Sequence, residues 1–216
     1  SRTCPVVITH ASSDKSIEGL AIIDDHSSIT LIHPDVAKRL QPESDSYFSK
    51  FLSTTTIHGT EQAEFYTGVN GLRIRSFHDP QALQTLPPCY VKDDLPNAIE
   101  EIPSQDELLT TPGFEELAQH FPEKNPMWYT IILVGRDCLW AQGQPQDRKP
   151  IGSDSPIARK TNLGWVLIGD KNRETGVYGP QNRVLRTQEE ISNKDAARRY
   201  NNMMRDSQIN ALSFDG

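Results

Sequence analysis

The stretch that decides the fold is GLAIIDDHSSITLI, residues 19–32. An apolar run at 20–23 leads directly into two adjacent carboxylates, Asp24 and Asp25, and a second mainly apolar run follows at 29–32. A short apolar run rich in isoleucine is typical of a strand that is buried on both faces. Because a carboxylate at the end of such a strand is costly to bury unless it is paired or protonated, we predict that at least one of the two serves chemistry.

Composition excludes several classes of protein. The chain has 216 residues, a net charge of -7 and 36% hydrophobic residues. The acidic balance argues against a nucleic-acid binder or a binder of anionic membranes, because both need a basic surface. No apolar run approaches the roughly 18 residues of a membrane span. Cys4, Cys89 and Cys138 fit neither a disulfide framework nor a zinc motif, so we expect a reducing compartment and a cytoplasmic location.

Other segments have simpler patterns. Strands are predicted at 4–9, within 51–77, at 128–134 and at 161–169, and a short helix is predicted at 33–40. Asn70-Gly71 predicts a two-residue β-hairpin. The proline-rich, acidic segment 80–126 is predicted to be a long excursion over the surface, with one helix candidate at 113–120. Aliphatic residues become less frequent after 169. The segment 170–216 is therefore predicted to be a tail, or to contain a peripheral helix at 187–205.

Three motifs occur in a set order along the chain. They are IIDDHS at 22–27, ILVGRD at 132–137 and PIARKTNLGWVLIG at 156–169. The first resembles the apolar-apolar-Asp-Thr/Ser-Gly-Ala/Ser segment of retroviral-type aspartic proteases, and the second resembles their apolar-Ile-Gly-Arg-Asn/Asp segment. The third is similar to the Thr-x-x-Gly-Trp-x-x-x-Gly element of BEL/Pao-type retrotransposon polyproteins. Over roughly 4–169 the chain therefore resembles the retropepsin-like aspartic protease domain of such a polyprotein.

This resemblance implies a fold and a setting. The expected fold is all-β, a retropepsin-like (acid protease) closed β-barrel or sandwich with one or two short helices and a long insertion at 80–126. The protease domain would span 1–169, and 170–216 would be a tail or a linker to the next polyprotein segment. The resemblance implies no cofactor and no metal. The chain would be a piece of a longer polypeptide, located inside the cell or within virus-like particles.

The implied activity is that of an aspartic endopeptidase, a hydrolase that uses two carboxylates about 3 Å apart sharing one proton. Successive side chains of an extended segment point to opposite faces, so only one of Asp24 and Asp25 faces the cleft, and the motif register selects Asp24. No second Asp motif lies within apolar strands. A homodimer would therefore supply one Asp24 from each chain across a two-fold axis. Asp25, His26 and Ser27 would complete the active-site loop, with Ser27 hydrogen-bonding near the carboxylate pair.

Two further segments receive roles from the resemblance. His58, Gly59 and Thr60 would belong to the flap, a hairpin that closes over a peptide substrate bound as an extended strand. An ordinary surface hairpin is the other interpretation of these residues. The segment 135–137, Gly135-Arg136-Asp137, would be a structural support that braces the loops beneath the active site. A turn with an exposed ion pair is the other interpretation of that segment.

Several alternatives stay open at this point. The chain has His26 where the family has glycine, which leaves room for a catalytically inactive binding or assembly module, or for a domain that binds peptides or ubiquitin-like partners. Asp24 and Asp25 could also form a simple turn. A metal site of Asp24, Asp25, His26 and His33 matches no known ligand spacing. A Ser27/His26/Asp24 hydrolase triad is disfavoured because adjacent side chains cannot turn towards each other for the relay.

Overall fold

The computed structural model describes residues 2–55, 61–143, 146–148 and 156–169. All of them lie in the first of the two units, Ser1–Pro180 and Gln181–Gly216, into which the chain divides. These residues are mostly strands with few helices, so the all-β prediction is confirmed at the level of fold class. The predicted tail 170–216, with its helix at 187–205, lies outside the described residues. The domain boundary at 169 stays a prediction.

The described residues form short elements throughout. The strands are β1 (Arg2–His10), β2 (Ser16–Ile23), β3 (Leu31–Ile32), β4 (Tyr47–Thr55), β5 (Glu61–Val69), β6 (Leu72–Ser76), β7 (Gln84–Thr85), β8 (Cys89–Val91), β9 (Thr130–Val134), β10 (Gln146–Arg148), β11 (Ile157–Thr161) and β12 (Gly164–Ile168). The α-helices are α1 (Pro34–Leu40), α2 (Gln105–Leu109) and α3 (Leu139–Gln142). Single 3-10 turns occur at Ser44–Ser46 and Ile99–Glu101, and a longer one at Glu115–His120.

A nine-stranded sheet forms the body of the fold, in the order β4-β5-β8-β3-β9-β2-β1-β6-β7. The sheet curls into a half-barrel with β4 and β7 at its edges, and the closure that we predicted is not seen in the described residues. β9 lies between β2, to which it is parallel, and β3, to which it is antiparallel. Every residue of β9 and the last five residues of β2 are buried, as their apolar runs predict.

A second, three-stranded sheet has the order β10-β11-β12. Val166 of β12 and Leu163, in the preceding turn, belong to the main hydrophobic core. The side chains of Ala158, Trp165 and Leu167 belong instead to a second hydrophobic cluster. The small sheet therefore contributes to two cores, which explains why β12 is apolar at consecutive positions. We predicted a single strand at 161–169, and the structure shows a hairpin of two strands.

The segment 80–126 is more than a surface excursion, and that prediction is wrong. β8 pairs with β5 on one side and with β3 on the other, inside the main sheet. Further along, Leu108, Phe114, Leu117 and Phe121 are almost fully buried and pack in the second cluster. The helix predicted at 113–120 is a 3-10 turn, and α2 was not predicted. Apolar residues this sparse among prolines and acids show no helical or strand period, although these four are buried.

The prediction of a two-residue hairpin at Asn70-Gly71 is also wrong. β5 pairs with β4 and β8, whereas β6 pairs with β1 and β7, so the two strands that flank the turn are not neighbours. Gly71 does have the positive φ of 79° that such a turn requires. Residues at the end of β1 stabilise the turn. The His10 ring nitrogen Nε2 lies 2.8 Å from the Asn70 carbonyl, and the Ala11 N–H donates to the Gly71 carbonyl. Turn chemistry is local, but the choice of partner strand depends on the whole curled sheet.

The cysteines behave as core residues. Cys4, Cys89 and Cys138 are buried and free. Burial raises the pKa of the Cys4 and Cys138 thiols to about 12 and that of Cys89 well above its ordinary value. These thiols remain protonated near neutral pH, so they pack as small apolar side chains and are poor nucleophiles.

Candidate active site

The loop 24–30 connects β2 to β3 at the point where β9 passes between them. The Asp24 N–H donates to the Val134 carbonyl over 2.9 Å, which continues the β2–β9 ladder to the first loop residue. Strand β2 is buried up to Ile23, and Asp24 is half-buried. A rigid, buried strand therefore ends at this carboxylate, which limits its movement.

The Asp24 carboxylate is oriented by its own loop. The His26 backbone N–H donates to Oδ1 of Asp24 over 2.9 Å, as in an Asx turn. Within the described part of the chain, no hydrogen-bond partner contacts the other carboxylate oxygen. The same carboxylate lines an open pocket of about 550 Å³ together with Ile22 and Leu133. One oxygen is thus fixed by the backbone, and the side chain faces a space large enough for a ligand.

Asp25 lines the same pocket but differs from Asp24 in its exposure and its ion pair. Its side chain is 57% exposed, and its Oδ2 lies 2.7 Å from a guanidinium nitrogen of Arg2. Desolvation acts to raise the pKa of Asp25, but the charge and hydrogen bond of Arg2 outweigh it, so the pKa lies below its ordinary value. Asp25 therefore stays ionised and ties the first strand to the loop. That one of the two carboxylates is catalytic, and that it is Asp24, stays a prediction.

His26 points its ring away from the protein. The side chain is 95% exposed, and Nε2 lies 3.7 Å from Oδ1 of Asp25. Among the described residues, Gln41 is the non-glycine residue with a positive φ, so the His26 backbone is outside the region that favours glycine. A glycine is not required here by the conformation of a single chain. The ring matters only where another molecule approaches the loop.

Ser27 is engaged inside the loop. Its hydroxyl donates to the Ile29 carbonyl over 2.7 Å, and its own carbonyl accepts the Arg136 N–H over 2.9 Å. We expected Ser27 to hydrogen-bond near the carboxylate pair. The structure places its hydroxyl on Ile29 instead, so Ser27 shapes the loop that carries Asp24.

The Gly135-Arg136-Asp137 segment lies behind the loop and is joined to it through Thr30. Oδ2 of Asp137 accepts the Thr30 N–H over 3.0 Å, and Oδ1 accepts the Thr30 hydroxyl over 2.7 Å. The Gly135 N–H donates to Oγ1 of Thr30 over 3.1 Å. Arg136 contacts the loop through its backbone N–H, which donates to the Ser27 carbonyl. Thr30 is fully buried, and our sequence reasoning missed it, although a lone hydroxyl between Ile29 and Leu31 was a usable signal.

Replacing Thr30 with valine should destabilise the fold by about 2 kcal/mol, because it removes a hydroxyl bond to a carboxylate and leaves the Gly135 N–H without its acceptor. Valine keeps the shape, so packing is nearly unchanged. Urea denaturation checks this value. The matched control is Thr67→Val on the exposed side of β5, which should change stability by less than about 0.5 kcal/mol. Equal effects of the two substitutions would contradict the bracing role of Thr30.

The predicted flap residues His58, Gly59 and Thr60 lie outside the described residues. The arms leading towards them, β4 and β5, pair in antiparallel register from Tyr47↔Val69 to Thr55↔Glu61. Phe51 and Phe65 face each other across these arms, with ring centroids 5.0 Å apart, and both are largely exposed. The assignment of the flap stays a prediction.

Neither alternative chemistry is assembled in the described ranges. Their His, Cys, Asp and Glu side chains form no group of three or more that could hold a metal ion. His33 instead caps α1, where its Nδ1 accepts the Asp35 N–H. A Ser27–His26–Asp24 relay is not formed. The Ser27 hydroxyl donates to the Ile29 carbonyl, and the His26 ring faces solvent beside Asp25.

Comparison of the chain with protein-family models, with curated proteins and with solved structures found no match. No helix within the described residues has both the length and the apolar character needed to cross a membrane.

Proposed function

We propose that this chain is an aspartic endopeptidase that acts as a homodimer, with Asp24 of each protomer forming the catalytic pair. The observation that supports this most directly is the position of Asp24. Its carboxylate follows the buried end of β2, is oriented through Oδ1 by the His26 N–H, and lines an open pocket. The brace between Thr30 and Asp137 gives the loop the rigidity that positioned chemistry requires.

The chemistry needs an acid and a base together. An ionised carboxylate removes a proton from water while the water oxygen attacks the scissile carbonyl carbon, and a protonated carboxyl donates its proton to the carbonyl oxygen. The tetrahedral intermediate then collapses as a proton moves to the amide nitrogen and the C–N bond breaks, which yields a carboxylic acid and an amine. Two carboxylates about 3 Å apart cannot both ionise, so such a pair holds one proton between them.

The second carboxylate must come from a second copy. The adjacent Asp25 cannot serve, because Arg2 holds it ionised and its side chain is directed to the Arg2 guanidinium. A two-fold axis next to the loop would place the Asp24 of each protomer against its twin. The substrate would be an extended peptide, in the natural setting a segment of the retrotransposon polyprotein that carries this domain.

A second candidate is a catalytically inactive peptide-binding or assembly module with the same fold. The exposed ring of His26 favours it, because in a dimer two such rings would lie where the two loops must approach. Such a module would bind extended peptides in the pocket beside Asp24 without hydrolysing them.

The dependence of the cleavage rate on protein concentration tests whether the active species is a dimer. The full chain is incubated with a library of unstructured peptides in the acidic to neutral range, and cleavage is followed by mass spectrometry. Below the dimer dissociation constant, the initial rate should rise with the square of chain concentration, since only the dimer has both carboxylates. Sedimentation should show the monomer–dimer equilibrium at the same concentrations. A pepstatin-insensitive rate that is linear in concentration for a sedimenting monomer contradicts the proposal, and binding without cleavage favours the module.

A further inference from the structure

The pocket beside Asp24 is lined from two distant parts of the chain. On one side lie Asp24 and the apolar side chains of Ile22 and Leu133, from β2 and β9. Arg159 and Ile168 line the same pocket from the small sheet. Asp24 and Arg159 are 135 positions apart in the chain, so only the tertiary structure brings them to one cavity.

Strand alternation directs Arg159 towards this pocket. Neighbouring side chains on β11 point to opposite faces, and Ala158 packs fully buried in the second cluster. Arg159 therefore lies on the other face, which is also the face of its cross-strand partner Val166 in the main core. Arg159 is half-buried, whereas Lys160 is exposed. Arg159 thus lines a pocket with apolar walls, where an ion pair is stronger than in open water.

Two arginines, Arg2 and Arg159, belong to the lining of the pocket. Arg2 is the partner of Asp25 in a 2.7 Å ion pair, and Asp24 is required for chemistry. A guanidinium carries five N–H donors, so Arg159 can bind a substrate carboxylate while it keeps its contacts within the protein.

We infer that Arg159 is a specificity-determining residue that selects peptides with a glutamate or aspartate within about two residues of the scissile bond. The aliphatic part of the acidic side chain would pack on Ile22 and Ile168, and its carboxylate would meet the guanidinium in a charge-assisted hydrogen bond. This inference rests on the proposed function, because it places a peptide in the pocket beside Asp24.

A matched peptide series tests the inference with the full chain. From the best substrate in the library, peptides with Glu, Gln or Lys at each position within two residues of the cleaved bond are compared by kcat/KM. At one position Glu should exceed Gln by about 10- to 100-fold, the value of a hydrogen bond between charged groups. Arg159→Glu should reverse that preference in favour of Lys. The matched control is Lys160→Glu, the next residue on the opposite face, which should keep the preference for Glu.

The outcomes separate this inference from the proposed function. Cleavage without preference for an acidic residue, or a preference that survives Arg159→Glu, overturns the inference and leaves the protease intact. If the wild-type chain cleaves nothing, fluorescence anisotropy measures the binding of labelled extended peptides that differ only in a central Glu, Gln or Lys. If these peptides show a preference for Glu that is lost in Arg159→Glu, the result supports the inference even though the protease proposal fails. Equal binding of all the peptides overturns the inference. Circular dichroism establishes folding, and Arg159→Gln replaces Arg159→Glu if the charge reversal unfolds the chain.

Discussion

Replacing Asp24 with asparagine should reduce kcat at least about a thousandfold, because an amide can neither accept the proton of water nor share one with its twin. Asparagine has nearly the same shape and can still accept the His26 N–H through its side-chain oxygen, so the fold should be unaffected. Steady-state cleavage of the best library peptide measures the effect, and thermal unfolding verifies the fold.

The matched control for Asp24→Asn is the neighbouring substitution Asp25→Asn. Asp25 is largely exposed and pairs with Arg2 at the surface, so its loss should change the rate by less than about fivefold. The reverse pattern, with Asp24→Asn active and Asp25→Asn inactive, would show that the other carboxylate is catalytic. If both variants retain full activity, the aspartic protease proposal fails.

Mixing wild-type chain with the Asp24→Asn variant tests whether the two catalytic carboxylates come from different copies of the chain. An excess of the Asp24→Asn variant added to a fixed amount of wild-type chain should suppress cleavage, since wild-type protomers are drawn into dimers with only one carboxylate. The Asp25→Asn chain, added in the same excess, should raise the rate or leave it unchanged. Suppression by both variants alike would point to a nonspecific effect of added protein.

Replacing Gly135 with alanine should destabilise the fold by at least about 3 kcal/mol. A Cβ at this position would lie 2.3 Å from the Ile29 carbonyl oxygen and 2.5 Å from its carbon. These are backbone atoms, so no side chain can rotate away to relieve the contact. Either the segment 135–137 or the loop 24–30 would have to shift, and the shift would strain the bonds from Gly135 and Asp137 to Thr30. Urea denaturation measures the loss, and cleavage activity should fall with it even where the chain remains folded.

Ser28→Ala serves as the control for Gly135→Ala, because Ser28 is an exposed residue of the same loop. Its substitution should change stability by less than about 0.5 kcal/mol. If Gly135→Ala is as stable as the wild type, the close approach of the segment 135–137 to the loop is incorrect.

The strands nearest the candidate site were predictable because each is a continuous apolar run. β2 and β9 lie inside the sheet with neighbours on both sides, so the buried positions 20–23 of β2 and all of β9 favour apolar residues. Helix α1 was predictable from local signals as well, since Pro34 stands at its first turn and His33 caps it. These features depend only on residues that are close together in sequence.

The failures share a physical cause. Asn70-Gly71 has the correct turn chemistry, but the strands that flank it pair with other strands. The short strand β8 has only three residues, and its place in the sheet depends on β3 and β5. Non-local pairing is decided by the total burial that the whole sheet achieves, and a local pattern carries little information about it.

The amino-acid sequence by itself determined the all-β class, the buried strands β2 and β9, and a polar loop that presents Asp24 beside Asp25 and His26. Only the tertiary structure placed β9 between the strands that flank this loop. It also brought Arg2 to Asp25, Asp137 to Thr30 and Arg159 to the pocket of Asp24. Periodicity and propensity act over a few residues, whereas these contacts join side chains far apart in the chain, and only the packing of both sheets defines them.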